Sequence, residues 1–495
     1  MKIRTWAKIV WMSAVVLLPA VFPQAGTARP ETSRGDASQP AEGRMPSPSR
    51  TERRQRLTID ECVSLGLRNS KGVHASGLRV EAASAKLKET QAARLPSLKF
   101  AAGYTRLSEV PPFEVQLPFP QGLPLALPTK FVVSPNFYNN FLLKVGLQQP
   151  LFTGFRLRSA SKMARLQADV AEQELAGDRM DLVFAVRAAY WSLFKAREIQ
   201  RVVDENVEQV KIHLSDVRNF FEQGLLTRNE VLRAEVQLSN TRMVQLDAAN
   251  GVETAGLWLN SLIGLPLDTE IDLATVVGEE GAEGFGESTT ADVGAGDSPG
   301  DAARTAEDMV TKALARRPEL KALGLRTKAG EAGVTLAKSP LYPQVFLSLN
   351  YYNMRPNSRL MPAQDRFYGT WDAGVVVSMD VWNWGQTGWQ ARQAEAQLAQ
   401  AEDALGQMRD AVALEVRRSR LEFSRMKEKI AVAREAVAQA EENLRVTTDR
   451  FKEGVALNAD VLDAEVALLQ AGTGYTQSLV DFELAKAKLQ RALGE

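Results

Sequence analysis

Two stretches of the chain, FEQGLLTRNEVLRAEV at residues 221–236 and FKEGVALNADVLDAEV at residues 451–466, decide the fold because they repeat one another. The second stretch lies 230 positions after the first, and the same spacing aligns Phe152 with Trp382. A repeat that stays in register over such a distance is typical of a duplicated architecture. We therefore predict that the chain contains two copies of one structural unit.

The limits of the two copies follow from a second alignment nearer the start of each. Pro96 matches Pro343 at a spacing of 247 positions, so the first copy has 17 additional residues before Phe152. A change of length is tolerated in a loop, where it does not disturb the register on either side. The predicted copies are residues 57–264 and 306–495.

Strands are predicted on both sides of this variable segment. Apolar and polar residues alternate in residues 97–106 and again in 140–148, the period-2 pattern of a β-strand. The second copy repeats the alternation with Val345, Leu347, Leu349 and Tyr351, and then with Trp371, Ala373, Val375 and Val377. Each copy is thus expected to contribute one hairpin, within residues 97–152 and 344–382, which gives four strands per chain.

The pattern of these strands suits a sheet that faces lipid. One face is apolar and the other is small or polar, the strands approach the length needed to span a membrane, and aromatic residues stand near their ends. A half-buried sheet of a soluble domain has a similar pattern and stays an alternative. Because four strands cannot close a barrel and open edges are not tolerated in lipid, spanning strands require an oligomer.

Long helices are predicted for the rest of each copy. Residues 157–223 and 386–453 contain no proline, and each is followed by a returning helix, so helical hairpins are expected at 157–262 and 386–493. At 1.5 Å per residue each long helix measures on the order of 100 Å. A coiled-coil spacing of apolar residues is seen at Ala391, Ala394, Leu398, Ala401, Leu405, Met408 and Val412. A coiled-coil spacer between two other structures is an alternative that leaves the strands unexplained.

Three further segments lie outside the two copies. Residues 1–28 have the basic, apolar and small-residue regions of a signal peptide, which predicts export. Residues 29–56, rich in Pro, Ser and Arg, are predicted to be a disordered linker. Residues 265–305, rich in Gly and acids, are expected to connect the copies, with a short strand within 270–277.

Composition excludes several classes of function. The charge is balanced, with 60 Lys+Arg and 60 Asp+Glu, which gives no indication of a nucleic-acid partner. Cys62 is the only cysteine, and His74 and His213, the only histidines, are predicted to be ordinary helix-surface residues. Without a nucleophile, base or metal-ligand pattern, neither an enzyme nor a cofactor is expected.

The doubled order of motifs resembles the outer-membrane efflux proteins, the TolC-like channels. The segment at 57–61 resembles the opening of that family, and residues 149–152 and 383–385 resemble its strand-to-helix junctions. The resemblance implies a mainly α fold with transmembrane β-strands, in which a homotrimer forms a 12-stranded β-barrel on a periplasmic α-helical barrel. It also implies an outer-membrane location with most of the chain in the periplasm, and docking with a periplasmic adaptor and an inner-membrane pump or exporter.

The resemblance also assigns roles to particular residues. The helical tips expected to contact the adaptor are Gly224, Leu225, Gly454 and Val455. The strand-to-helix junctions are Pro150, Phe152, Trp382 and Gly385. The carboxylates expected to form a pore constriction are Asp460, Asp463 and Glu230.

Some features of the tips leave alternatives open. Asp460 has a second interpretation, because a carboxylate at a helix N-terminus complements the helix dipole. The chain has Ala456 and Phe451 where related channels use an arginine and a tyrosine to lock the closed tip, so locking by that network is not expected here. Efflux of small molecules and secretion of polypeptides in a type I system both remain possible functions of such a duct.

Overall fold

The computed structural model describes the greater part of the chain. The described residues are 54–110, 113–116, 130–134, 136–274, 299–361 and 363–495. They all belong to one structural unit, Arg53–Glu495. The predicted signal peptide and residues 29–53 of the predicted linker lie outside the described residues.

Eight helices in the described part of the chain repeat the same order twice. The first copy contains α1 (Ile59–Asn69), α2 (Lys71–Ala92), α3 (Arg156–Glu222) and α4 (Arg228–Ile263). The second copy contains α5 (Pro299–Arg316), α6 (Pro318–Ala337), α7 (Gln386–Lys452) and α8 (Asn458–Leu493). Helices α3 and α7 each have 67 residues, and α4 and α8 each have 36. The two helical hairpins are therefore equal in length.

Strands from both copies form one antiparallel sheet. Strands β2 (Ser97–Arg106), β5 (Asn139–Thr153), β7 (Gln344–Arg355) and β8 (Tyr368–Ser378) lie in the order β2-β5-β7-β8. The two copies meet where β5 pairs with β7, and β2 and β8 are left as the edges.

The four predicted strands form this sheet, and the described part of the chain contains four further short strands. A second hairpin, β3 (Phe113–Gln116) with β4 (Lys130–Ser134), lies in the segment that is longer in the first copy. Strands β1 (Arg54–Leu57) and β6 (Glu270–Leu273) form a parallel pair. Strands β1, β3 and β4 have four or five residues each, too few for the alternation of apolar residues to reveal them.

Other predicted boundaries also need correction. Strand β1 begins at Arg54, so the predicted disordered linker extends too far, because pairing with β6 orders its last three residues. The short strand predicted within 270–277 is confirmed as β6, which ends at Leu273. Helix α5 begins at Pro299, inside the predicted connection 265–305, with the proline in the first turn, where its fixed φ is compatible with a helix.

Within its own copy, each long helix packs mainly against two shorter helices. Helix α3 contacts α2 near the sheet and α4 beyond it, and α7 contacts α6 and α8 in the same way. Helix α3 also contacts α6 and α8, which joins the two copies side by side. Buried side chains along α3 include Val186, Tyr190, Val203, Val210 and Val217. In the described part of the chain, no helix combines the length and the apolar character needed to cross a membrane.

Candidate channel wall and entrance

The sheet exposes its apolar side chains. On one face Leu98, Phe100 and Trp371 are 68–70% exposed, and Val375 and Val377 are 60% and 63% exposed. The pairing register places these residues on one side, with the polar side chains of the same strands on the other. A sheet of a soluble domain buries its apolar face, so this arrangement is the reverse of the expected one.

The strands pass into the long helices through matched turns. In the first copy Gly154 and Phe155 have φ values of 58° and 68°, and in the second Trp384 and Gly385 have values of 55° and 78°. Each junction therefore has two successive residues in the left-handed region, one glycine and one aromatic. A Cβ at Gly154 would lie 2.4 Å from the carbonyl oxygen of Ser339, so only glycine fits there.

The predicted junction residues have different surroundings. Between Pro150 and Phe152 the pairing of β5 with β7 shifts by one residue, as expected where proline lacks an N–H for the ladder. Phe155 contacts the rings of Phe152 and Tyr342 edge to face, with centroids 5.5 Å apart in both pairs. Trp382 is 75% exposed, so the aromatic residues of the second junction remain open to a partner or to lipid.

The far ends of the helical hairpins form two tips. Gly224 and Gly454 have φ values of 75° and 78°, and no atom lies within 4 Å of a Cβ placed on either. Leu225 and Val455, the next residues, are 68% and 73% exposed. The four predicted tip residues thus form the turns and display apolar side chains at the surface.

A chain of polar contacts joins three helices just behind the tips. Asn458, at the start of α8, donates from Nδ2 to Glu230 Oε2 of α4 at 2.9 Å. Its Oδ1 lies 2.8 Å from Nε2 of His213 on α3, which must donate because an amide oxygen only accepts. Asn458 is 3% and His213 5% exposed, so both hydrogen bonds are shielded from water. The prediction that His213 is a surface residue was wrong.

Burial also changes the electrostatics of His213. Desolvation lowers the pKa of its imidazole, although the hydrogen bond to Asn458 partly opposes that effect. The ring packs against Phe451, which is 4% exposed, at a centroid distance of 5.2 Å. Phe451 and Ala456 belong to the apolar cluster of the tip, whose buried members include Val217 and Val231. At these two positions the tip is therefore held by apolar packing within the chain.

The three predicted constriction carboxylates are not equivalent in the monomer. Asp460 is exposed and accepts a hydrogen bond from the backbone N–H of Leu457 at 2.9 Å, the geometry of a helix cap. Asp463 is exposed one turn further along α8. Glu230 is half-buried, and it lies between the tips in a cleft of about 660 Å³. Asp460 caps α8 and is still exposed, so its two interpretations, helix cap and pore carboxylate, do not exclude each other.

Glu465 is a further buried carboxyl that the sequence did not reveal. It is 2% exposed on α8, and its Oε2 has no hydrogen-bond partner among the described residues. Burial raises the pKa of this carboxyl to about 7. Asn206 of α3 approaches its backbone, with Nδ2 3.5 Å from the carbonyl oxygen. Within the described ranges, no group of three His, Cys, Asp or Glu residues is arranged to hold a metal ion.

The sequence contained a signal for two buried polar residues of α3. Val203, Val207, Val210, Leu214 and Val217 recur at helical spacing on α3 and are all buried. His213 and Asn206 lie on the same side of the helix as this stripe, at i+3 and i−4 from Val210. Polar residues on a buried stripe need partners, and this requirement is the sequence signal.

A duplicated chain with long helical hairpins and a sheet that exposes its apolar face defines the class of TolC-like channel proteins. The chain belongs to the outer membrane efflux protein family, whose sequence model matches residues 63–265 and 309–495. The fold is shared with the outer membrane protein VceC of Vibrio cholerae, with a TM-score of 0.70 and 19% identity. That similarity covers 88% of this chain and 96% of VceC.

Two other proteins are similar to this chain in sequence. Protein CyaE of Bordetella pertussis is 24% identical over 333 residues, 66% of this chain and 60% of that protein, less than two thirds of its length. The alkaline protease secretion protein AprF of Pseudomonas aeruginosa is 23% identical over 354 residues, 71% of this chain and 69% of that protein.

Proposed function

We propose that three copies of this chain form an outer-membrane duct that lets small molecules leave the cell after an inner-membrane pump has moved them. The observation that carries this proposal is the sheet with its apolar face exposed and with β2 and β8 unpaired at its edges. In lipid such edges must pair, and pairing β8 of one copy with β2 of the next gives a closed wall of twelve strands. The duct itself is passive.

The tips supply the entrance and the docking surface in this proposal. The exposed apolar residues Leu225 and Val455 offer contacts to a periplasmic adaptor, as apolar side chains on a polar surface commonly mark an interface. Asp460 and Asp463 of three copies place carboxylates around the entrance, and Glu230 braces α8 from behind through Asn458. A ring of carboxylates favours the passage of cations over that of anions.

The membrane position is tested with single cysteines on the two faces of β7 and β8. The native Cys62 is buried and burial raises the pKa of its thiol to about 11, so it reacts poorly and the protein needs no cysteine removal. In liposomes, a V375C variant on the apolar face should resist a water-soluble maleimide, whereas the matched S348C variant on the polar face should react. Equal reactivity of both thiols would contradict the proposal.

Conductance tests the duct. Purified protein in planar bilayers should show small cation-selective steps, and these should become larger when Asp460 and Asp463 are changed to Ala, because the change removes bulk and charge from the constriction. A periplasmic spacer gives no channel steps at all. Steps that keep their size and selectivity in the double variant would rule out these residues as the constriction.

Secretion of polypeptides is the second candidate, because AprF is named as a secretion protein. The two functions are distinguished in a host that lacks its own outer-membrane channel. If the chain restores resistance to small toxic molecules but not release of a type I secreted protein, efflux is its function. The reverse result would support secretion.

A further inference from the structure

Positive charge predominates on the polar face of the four-stranded sheet. Lys99 of β2 and Lys144 of β5 both lie on this face, since Lys99 pairs with Gly146 and Lys144 pairs with Ala101. The two lysines are diagonal neighbours on adjacent strands, whose residue positions are about 7–8 Å apart in a regular sheet. Long side chains at such positions are within reach of one another, so their like charges repel.

The acid of this face is already neutralised. Asp372 of β8 accepts hydrogen bonds from Asn350 Nδ2 at 2.8 Å and from Arg359 Nη2 at 3.0 Å. Arg359, in the connection between β7 and β8, also donates to the carbonyl oxygen of Trp371 at 2.8 Å. The carboxylate thus has its own cation and is not available to the lysines.

The lysines have no such partner. Among the residues that the structure describes, neither Lys99 nor Lys144 forms an ion pair, and the charged end of Lys144 lies over the ring of Tyr352, 5.2 Å from its centroid. Arg359 approaches the same ring at 5.8 Å. Tyr352 thus has two cations near it and holds the Lys144 ammonium in position.

Three small residues, Ala101, Gly103 and Gly146, lie beside the two lysines on this face of β2 and β5, together with Leu142 and Gln148. The side chain of Asn350 on β7 lies over Gly146, so an anion would bind at the exposed ends of the lysines. An anion located there would contact two ammonium groups and relieve their repulsion.

We propose that Lys99 and Lys144 form an anion-binding site on the inner wall of the duct, one that takes solutes with at least two carboxylate or phosphate charges. The site rests on the proposed function, because only a closed wall turns this face into a lumen. A solute would then pass an acidic entrance at the tips and a basic lining within the strands. Weak contacts at successive sites allow a solute to enter and still leave.

The test uses inorganic pyrophosphate as the probe. In planar bilayers, pyrophosphate is added to the chamber that faces the strand end, and its concentration for half-block of the potassium current is measured. The K99Q/K144Q double variant should need on the order of fivefold more pyrophosphate, because the two lost charges act in screened, water-like surroundings. The K99R/K144R variant keeps both charges and should be blocked like the unsubstituted protein.

The experiment distinguishes failure of the anion site from failure of the duct. Equal block of the unsubstituted and K99Q/K144Q channels would overturn the site while leaving the duct intact. Absence of channel steps in the unsubstituted protein would overturn the duct instead. Equilibrium dialysis of labelled pyrophosphate against detergent-purified protein tests the site without conductance. Binding lost in K99Q/K144Q and retained in K99R/K144R supports it, and binding that does not differ among the three proteins refutes it.

Discussion

Replacing Glu465 by Gln should make the tip region more stable at alkaline pH while leaving it almost unchanged at acidic pH. The side chain is 2% exposed, and one of its carboxyl oxygens lacks a partner among the described residues. Glutamine has the same shape but no charge to desolvate. The substitution therefore removes the cost of burying a carboxylate between α8 and its neighbours.

The expected size follows from the pKa. The pKa of Glu465 rises from an ordinary 4.5 to about 7 in the folded protein, which corresponds to about 3 kcal/mol at 1.36 kcal/mol per unit. Because the folded state keeps a proton that the unfolded state releases, the neutral carboxyl contributes its full stability below pH 4.5 and loses it as pH rises through about 7. The advantage of E465Q should thus grow over this interval and level off above it.

Amide hydrogen exchange of α8 measures the effect in the assembled protein, with rates corrected for the intrinsic effect of pH. Opening of α8 should become easier between pH 5 and pH 8 in the unsubstituted protein, and this change should be absent in E465Q. An E428Q variant is the matched control, because Glu428 is exposed on α7 and its substitution removes an equal charge. The reasoning is refuted if E465Q and E428Q respond to pH in the same way.

Three other substitutions test particular contacts. Asn458→Ala removes the group that joins Glu230 to His213, and leaving the buried His213 and the half-buried Glu230 without this partner should cost about 2–3 kcal/mol, seen as faster hydrogen exchange at the start of α8. Gly154→Ala should prevent correct assembly, measured as loss of trimer on a native gel, because the added Cβ has no space. Gly224→Ala meets no neighbour, so it should cost only the strain of a left-handed residue, about 1 kcal/mol, and the trimer should form.

The helices and the four-stranded sheet could be predicted because their sequence patterns extend over many residues. Helices of 67 residues show many turns of the same periodicity, and strands β2, β5, β7 and β8 are each ten residues or longer. Because the chain is duplicated, each helix or strand predicted in one copy could be checked against its counterpart in the other. The short strands β1, β3, β4 and β6 provide only two or three alternations, and pairing between distant segments decides whether they form.

The contacts of the tip could not be predicted from the sequence, for a different reason. Asn458 and His213 are 245 positions apart, and Asn458 and Glu230 are 228 apart, so no local pattern links them. Position 228, which is the counterpart of Asn458 in the first copy, is Arg228, and the repeat comparison therefore gives no hint of an amide bridge. Burial of Glu465 depends likewise on which face of α8 meets α3.

The identical lengths of the paired hairpins restrict how this protein can change. One residue inserted in α3 would advance every later side chain by 1.5 Å and turn it by about 100°, so buried valines would point into water. A tolerated insertion must comprise about two whole turns, seven residues, and must occur in the descending and the returning helix of both copies together. Mutation can therefore replace most side chains one at a time, whereas the length of the helical hairpins changes only by four concerted insertions.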